Sequence, residues 1–267
     1  MSAAPRPSAP AIECRGLRKS FGGRPVLQGI DLRIEPGETY TILGGSGSGK
    51  SVCIKHMIGL LRPDSGQVFV FGREVSRLSE RELVDVRKEF GMVFQGAALF
   101  DSQSVRENVA YPLREHRFGG EEEIRERVRS CLGAVGLAGI EDLLPSELSG
   151  GMRKRVGVAR AIALQPRIVL YDEPTTGLDP ANSRRIGRLI RDLQHRLRVT
   201  SVVVTHDMPL CQDVSDRVAL LRGGRLVLEA TAAELRDLDH PELREFLEGS
   251  GDPAAPATHP ASPSGAP

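Results

Sequence analysis

The stretch LQGIDLRI, residues 27–34, alternates apolar and polar positions, the two-residue period of a strand with one face on a core and the other in water. TYTILGG (39–45), RIVLYDE (167–173) and TSVVVTHD (200–207) are instead continuous and branched, as strands buried on both faces of a parallel sheet are. The two patterns together predict a mixed sheet core. Helical spacing follows Lys50 in SVCIKHMIGLL, returns in EEEIRERVRSCLGAVGL (121–137), and appears again in RRIGRLIRDLQHRL (184–197). Strands alternating with helices predict the α/β class. The segment from about 96 to 155 offers no convincing strand and reads as a helical subdomain inserted into the sheet domain. In RVALLRGGRLVLEA, Gly223 and Gly224 separate two apolar runs, which predicts a hairpin.

Composition adds boundaries rather than chemistry. Residues 1–10 and 251–267 are rich in Pro, Ala, Ser and Gly and bury too little apolar surface to offset chain entropy, so both are expected to be disordered. With 36 Lys plus Arg against 35 Asp plus Glu, the net charge of +1 points to no nucleic-acid partner and no bilayer surface. The start MSAAPRPSAP lacks the apolar core of a secretory signal, and no run approaches a spanning helix, so a soluble chain is expected. Cys14, Cys53, Cys131 and Cys211 are too scattered for a metal motif or a disulfide framework, which suits a reducing cytoplasm.

Three motifs carry the chemistry. GGSGSGKS matches G-x-x-x-x-G-K-[ST] over Gly44, Gly45, Ser46, Gly47, Ser48, Gly49, Lys50 and Ser51, after an expected strand and before an expected helix. Glycines let backbone N–H groups converge on phosphate oxygens, Lys50 reaches the β- and γ-phosphates, and Ser51 offers a hydroxyl to Mg²⁺. A flexible Gly/Ser linker is the alternative, and it does not require Lys-Ser at this offset. RIVLYDEP delivers Asp172 to the end of a buried strand, where it can hold Mg²⁺ through water. Glu173 is then placed to polarise the water that attacks the γ-phosphate, unless the strand merely ends in a solvated acidic turn. LSGGM (148–152), before the basic run RKRVGVARAIAL, is a second anion-binding helix start or a simple Ser/Gly cap.

In this order the three motifs resemble the ATP-binding-cassette family, over about residues 11–230. The resemblance implies a P-loop NTPase fold, ATP and Mg²⁺ as cofactors, and hydrolysis involving Lys50, Glu173, His206 and Gln95. It implies that Gln95 in FGMVFQ contacts Mg²⁺ and the attacking water, and that His206 in VVVTHD contacts the γ-phosphate. Asp179 in TGLDP would join the two sites, and Phe21 in LRKSFGG would stack on adenine. Each also has an ordinary reading: strand-end polar group, capped core histidine, turn residue and core aromatic. In this family two copies pack head to tail, so Ser149, Gly150 and Gly151 would meet the partner's nucleotide in a homodimer. Met152 departs from the glutamine usual at the fifth signature position.

Within the family, SELSGGM, YPLREH and the surrounding GAALFDSQSVRENVA are similar to the ATPases of Mla/MCE-type phospholipid transporters. HPELREFLEGS resembles that branch's C-terminal extension, here expected as a helical segment over 231–250. The resemblance implies phospholipid as cargo and work at the cytoplasmic face of the bacterial inner membrane. Its implied partners are an integral-membrane permease, an MCE-domain substrate-binding protein and a small STAS-domain protein. An amino-acid or metal importer is the rival within transport. A soluble ATPase of DNA repair or translation is the rival outside it, although neither an inserted coiled coil nor a second cassette is present.

Overall fold

The computed structural model describes residues 9–249, so the expected disorder over 251–267 and most of 1–10 concerns residues outside that range. In chain order the strands and helices are β1 (Ile12–Phe21), β2 (Arg24–Ile34), β3 (Thr39–Leu43), α1 (Lys50–Met57), β4 (Ser65–Val70), β5 (Arg73–Glu74), α2 (Glu80–Arg87) and β6 (Phe90–Val93). Three helices follow: α3 (Val105–Glu115), α4 (Glu121–Ala134) and α5 (Gly150–Ala161). Then come β7 (Ile168–Asp172), α6 (Pro180–Leu197), β8 (Thr200–Thr205), α7 (Met208–Val214), β9 (Arg217–Arg222), β10 (Arg225–Thr231), α8 (Ala232–Asp237) and α9 (Pro241–Leu247).

The alternating and the continuous patterns fall in different sheets. An antiparallel sheet has the order β2-β1-β4-β5, and in β2 Ile30, Leu32 and Ile34 are buried while Asp31 and Arg33 face solvent. The larger sheet has the order β10-β9-β3-β8-β7-β6; it is parallel except for β10, which pairs antiparallel with β9 across Gly223 and Gly224. Every residue of β3, β7 and β8 is buried. The reason is that both faces of this sheet are covered. Ile168, Leu170, Val202 and Val204 point into a core shared with α1 and the antiparallel sheet. Val169, Tyr171 and Val203 point into the opposite core, built with α3 to α7.

Between β6 and β7 the chain is helical, with α3, α4 and a short 3-10 turn at Pro145–Glu147 before α5. Ser104 and Glu107 form a capping box that starts α3. Fully buried Asn108 donates to the carbonyls of Phe100, Gln103 and Ser104 and accepts from Phe100 N–H, which pins the preceding loop. α5 continues past 155 onto the large sheet, where a Cβ on Gly91 of β6 would lie 2.2 Å from the Ala161 carbonyl oxygen. An edge at 155 therefore falls inside one continuous helix.

The last two helices fold back on the sheet. Leu235 and Leu243 join Leu43, Val218 and Leu220 in a small core, and Arg222 pairs with Glu242 at 2.6 Å and with Glu245. All four cysteines are buried and free. Among the described residues, no helix is long and apolar enough to cross a membrane.

Candidate functional site

Parallel register brings three strand ends together. Leu43 pairs with Thr205, and Asp172 with Val204, so the residues that follow leave the sheet side by side. Gly44 N–H donates to Thr205 O at 3.2 Å and Glu173 N–H to Val204 O at 2.9 Å. Ligands of open α/β sheets collect at this carboxyl edge. The loop after β3 is shaped by lack of room: a Cβ on Gly44 would sit 2.5 Å from Leu221 O and 2.8 Å from Ser48 Oγ. Gly49 caps α1 at φ 104°, a left-handed conformation that ordinary side chains rarely adopt.

Lys50 opens α1 with its ammonium buried, donating to Gly44 O and Gly45 O at 2.8 Å each and pairing with Glu173 Oε1 at 3.2 Å. Ser51 Oγ donates to Asp172 Oδ1 at 2.8 Å. Burial raises the Asp172 carboxyl above its ordinary range, and the Ser51 hydroxyl works against that. His206 Nδ1 lies 2.9 Å from Glu173 Oε2, and Thr176 Oγ1 donates to the same oxygen at 3.3 Å. Glu173 sits at φ 48°, where a non-glycine residue carries strain of about 1–3 kcal/mol. Strain at a buried carboxylate is a mark of a site rather than of a scaffold. Lys50, Ser51, Asp172, Glu173 and His206 thus form one cluster beside the glycine loop, and Ser48 Oγ is buried there with no hydrogen-bond partner among the described residues.

The second motif lies at the start of α5. Ser149 Oγ accepts from Met152 N–H at 3.3 Å as the helix cap. Asp179 caps α6, accepting from Ala181 N–H at 2.9 Å and Asn182 N–H at 3.0 Å, and its side chain also takes Asn182 Nδ2 at 2.6 Å. Asn182 crowds Gly151, where a Cβ would lie 2.8 Å from Asn182 Oδ1. Ser149, Gly150, Gly151 and Asp179 therefore form a second group, and its cap hydrogen bonds are the ordinary helix chemistry that the sequence left open. Met152 packs against the core on the α3-to-α7 side of the large sheet. Of the other two residues, Phe21 stands apart from both groups, whereas Gln95 lines a pocket with Gly150, Lys154 and Thr176. Phe21 is 46% exposed at the turn after β1, with the Lys19 ammonium 5.5 Å from its ring centre. The Gln95 side chain is exposed just past β6, while its backbone carbonyl accepts from Lys154 Nζ.

Lys154 escaped the sequence reading, which took RKRVGVARAIAL only as a basic run following LSGGM. The signal was present. Gly151, Lys154, Val158 and Ala161 follow helical spacing on the buried stripe of α5.

The ABC transporter family model matches residues 27–176. The chain is 43% identical to the probable ribonucleotide transport ATP-binding protein mkl of Mycobacterium leprae, over 91% of this chain and 70% of that protein. It is 40% identical to the intermembrane phospholipid transport system ATP-binding protein MlaF of Haemophilus influenzae, over 90% of this chain and 91% of that protein. Its fold is similar to the dimeric, post-hydrolysis structure of the ATP-binding cassette MJ0796 bound to ADP and Pi, with a TM-score of 0.76 and 32% identity over 83% of this chain and 98% of that one. Strand order, phosphate loop and acidic strand end agree with that likeness, and the chain belongs to the ABC transporter family as an ATP-binding subunit.

Proposed function

We propose that this chain hydrolyses ATP at the strand-end cluster and thereby powers phospholipid transport between the inner and outer membranes. The observation that carries the hydrolytic part is the Glu173 carboxylate, held between Lys50 Nζ at 3.2 Å and His206 Nδ1 at 2.9 Å beside the glycine loop. A carboxylate so placed can take a hydrogen bond from water and turn its lone pair toward a phosphorus atom. The N–H groups of Gly45 to Ser51 and the start of α1 receive the phosphate oxygens, and Lys50 exchanges its loop carbonyls for β- and γ-phosphate oxygens. Ser51 and Asp172 supply the hard oxygen donors that suit Mg²⁺, with Gln95 completing the set. When bound, Mg²⁺ neutralises charge on the β- and γ-phosphates. His206 steadies Glu173 and reaches the γ-phosphate. Exposed Phe21 is free to stack on adenine.

In this reading a second copy presents its Ser149, Gly150 and Gly151 across the nucleotide, with Asp179 at the junction, so the homodimer has two equivalent sites. An apolar groove of about 340 Å³ lined by Phe94, Phe100, Tyr111 and Arg160 receives a cytoplasmic helix of the permease, which keeps the chain peripheral at the inner membrane. The likeness to the MlaF protein over nearly the whole of both chains supports the phospholipid cargo, while the MCE-domain and STAS-domain partners rest on the resemblance of SELSGGM and YPLREH to the Mla/MCE branch. The name of the mkl protein gives another cargo, so cargo is the finer part of the proposal.

Phosphate release from MgATP by the purified chain, alongside Glu173→Gln, tests the hydrolytic part: turnover in the parent and its loss in the variant are expected. Purification of the native complex tests the cargo. An MCE-domain protein and bound phospholipid are expected, whereas an amino-acid permease with a solute-binding protein and no lipid would overturn the lipid reading alone.

A further inference from the structure

One buried cation has no part in the site described so far. Lys154, in the second turn of α5, is 6% exposed, and both of its hydrogen-bond partners are backbone carbonyls, Gln95 O and Glu173 O, the latter at 3.4 Å. Taking an ammonium out of water is costly unless its surroundings compensate. Burial lowers the pKa of this amine, and the charges of Glu173 and Asp172 oppose that shift. Packing alone does not call for an amine here, because Gly151, Val158 and Ala161 on the same stripe are small or apolar.

The two carbonyls belong to segments that matter. Glu173 holds a left-handed backbone at φ 48°, fixed on one side by its N–H on Val204 O at 2.9 Å and on the other by its carbonyl, which accepts from Thr176 N–H at 3.3 Å and from Lys154. Gln95 opens the segment that leads from β6 into the helical region. Lys154 itself lies about one helical turn from the exposed start of α5 at Ser149 and Gly150.

We propose that Lys154 is a positioning residue for hydrolysis: its ammonium clamps the Gln95 and Glu173 carbonyls, so that the start of α5 and the segment after β6 move only together with the backbone that aims the Glu173 carboxylate. The proposal rests on the ATPase reading of the site and adds a route by which an anion bound at the start of α5 governs that carboxylate. The clamp acts on orientation, not on affinity, since Lys154 touches none of the phosphate-loop residues.

The test uses the full chain, with kcat, KM and equilibrium MgATP binding measured for the parent, Lys154→Met and Lys154→Arg. Lys154→Met fills the same space without a donor, and its kcat is expected to fall about tenfold or more while KM and the ATP Kd stay within about twofold. Lys154→Arg keeps the cation and can donate to two carbonyls, and recovery of kcat to within about threefold of the parent is expected. In single-turnover assays on a Glu173→Gln background, Lys154→Met should add almost nothing, because the group it aims is gone; a purely structural residue would add its full loss. If Lys154→Met does not yield folded protein, Lys154→Leu replaces it, and a large kcat loss in Leu but not in Arg supports the clamp. Equal kcat in the parent and the Met or Leu variant overturns the proposal, as do parallel losses of kcat, ATP affinity and thermal midpoint that arginine fails to rescue. A parent that neither binds nor hydrolyses ATP overturns the functional reading beneath it instead.

Discussion

The carboxyl edge of the parallel sheet and the start of α5 both offer anion-binding groups, and they are built in opposite ways. At the sheet edge, Lys50, Ser51, Asp172, Glu173 and His206 are bonded to one another and four of the five are half-buried or deeper. At α5, Ser149 is exposed and its hydroxyl serves only as a helix cap. A buried cluster whose charges already pair has the machinery for chemistry within one chain. An exposed helix start has the dipole and free N–H groups, and in the proposed function its ligand arrives on a partner's surface. On the proposed reading, the two motifs of one chain are therefore not redundant.

The largest expected effect removes the buried cation. Lys50→Ala should abolish nearly all hydrolysis and weaken ATP binding, because the ammonium on the loop carbonyls is lost. Near-normal phosphate release from this variant would break the assignment of the sheet edge. Next, chains carrying Ser149→Arg and chains carrying Lys50→Ala should each be inactive alone yet regain about a quarter of parental activity when mixed in equal amounts, since one mixed-dimer site collects both lesions and the other none. Mixed dimers that are shown to form and stay inactive, in a protein that tolerates one dead site, would mean that the α5 start does not act in trans.

Two smaller effects sharpen the comparison by separating packing from chemistry. Leu243→Ala should cost about 2–3 kcal/mol in urea unfolding, at the low end for a buried leucine because its core is small. ATP turnover per folded molecule should change little, since the small core that Leu243 joins contains none of the cluster's side chains. The smallest effect concerns Asp179. Hydrogen bonds from the backbone and side chain of Asn182 lower its pKa below the ordinary carboxylate value of about 3.9. Its carboxylate therefore stabilises the fold above that value, and the contribution disappears as pH falls through the lower, folded-state pKa. Asp179→Ala should lower the thermal midpoint slightly at neutral pH and match the parent in strong acid. A difference that persists at low pH would assign Asp179 a role other than helix capping.

The sequence made the buried parallel strands legible because two-sided burial removes alternation, and β3, β7 and β8 carry nothing but apolar and small hydroxyl residues before their functional ends. The glycine loop was legible because few backbones tolerate φ near 104° before a lysine-led helix. The antiparallel sheet was read less fully. In β1 the register slips between Cys14 and Leu17 and again after Leu17, so bulges scramble the two-residue period that identifies a strand. Phe90–Val93 is a four-residue strand, too short for periodicity to register. Helix caps at Ser149 and Asp179 have the same residue types as ligand-binding positions, so spacing alone could not tell capping from binding. Lys154 was hidden by its neighbours, since arginines on either side make a buried lysine resemble a solvated run.

The central claim is that Glu173 turns a nucleotide-binding cluster into a hydrolytic one, and single-turnover hydrolysis of prebound MgATP by the parent and by Glu173→Gln tests it most directly. The account expects equal ATP binding by both proteins, hydrolysis by the parent, and a fall of about a hundredfold or more in the variant. Equal binding with equally fast hydrolysis in the two proteins would contradict it.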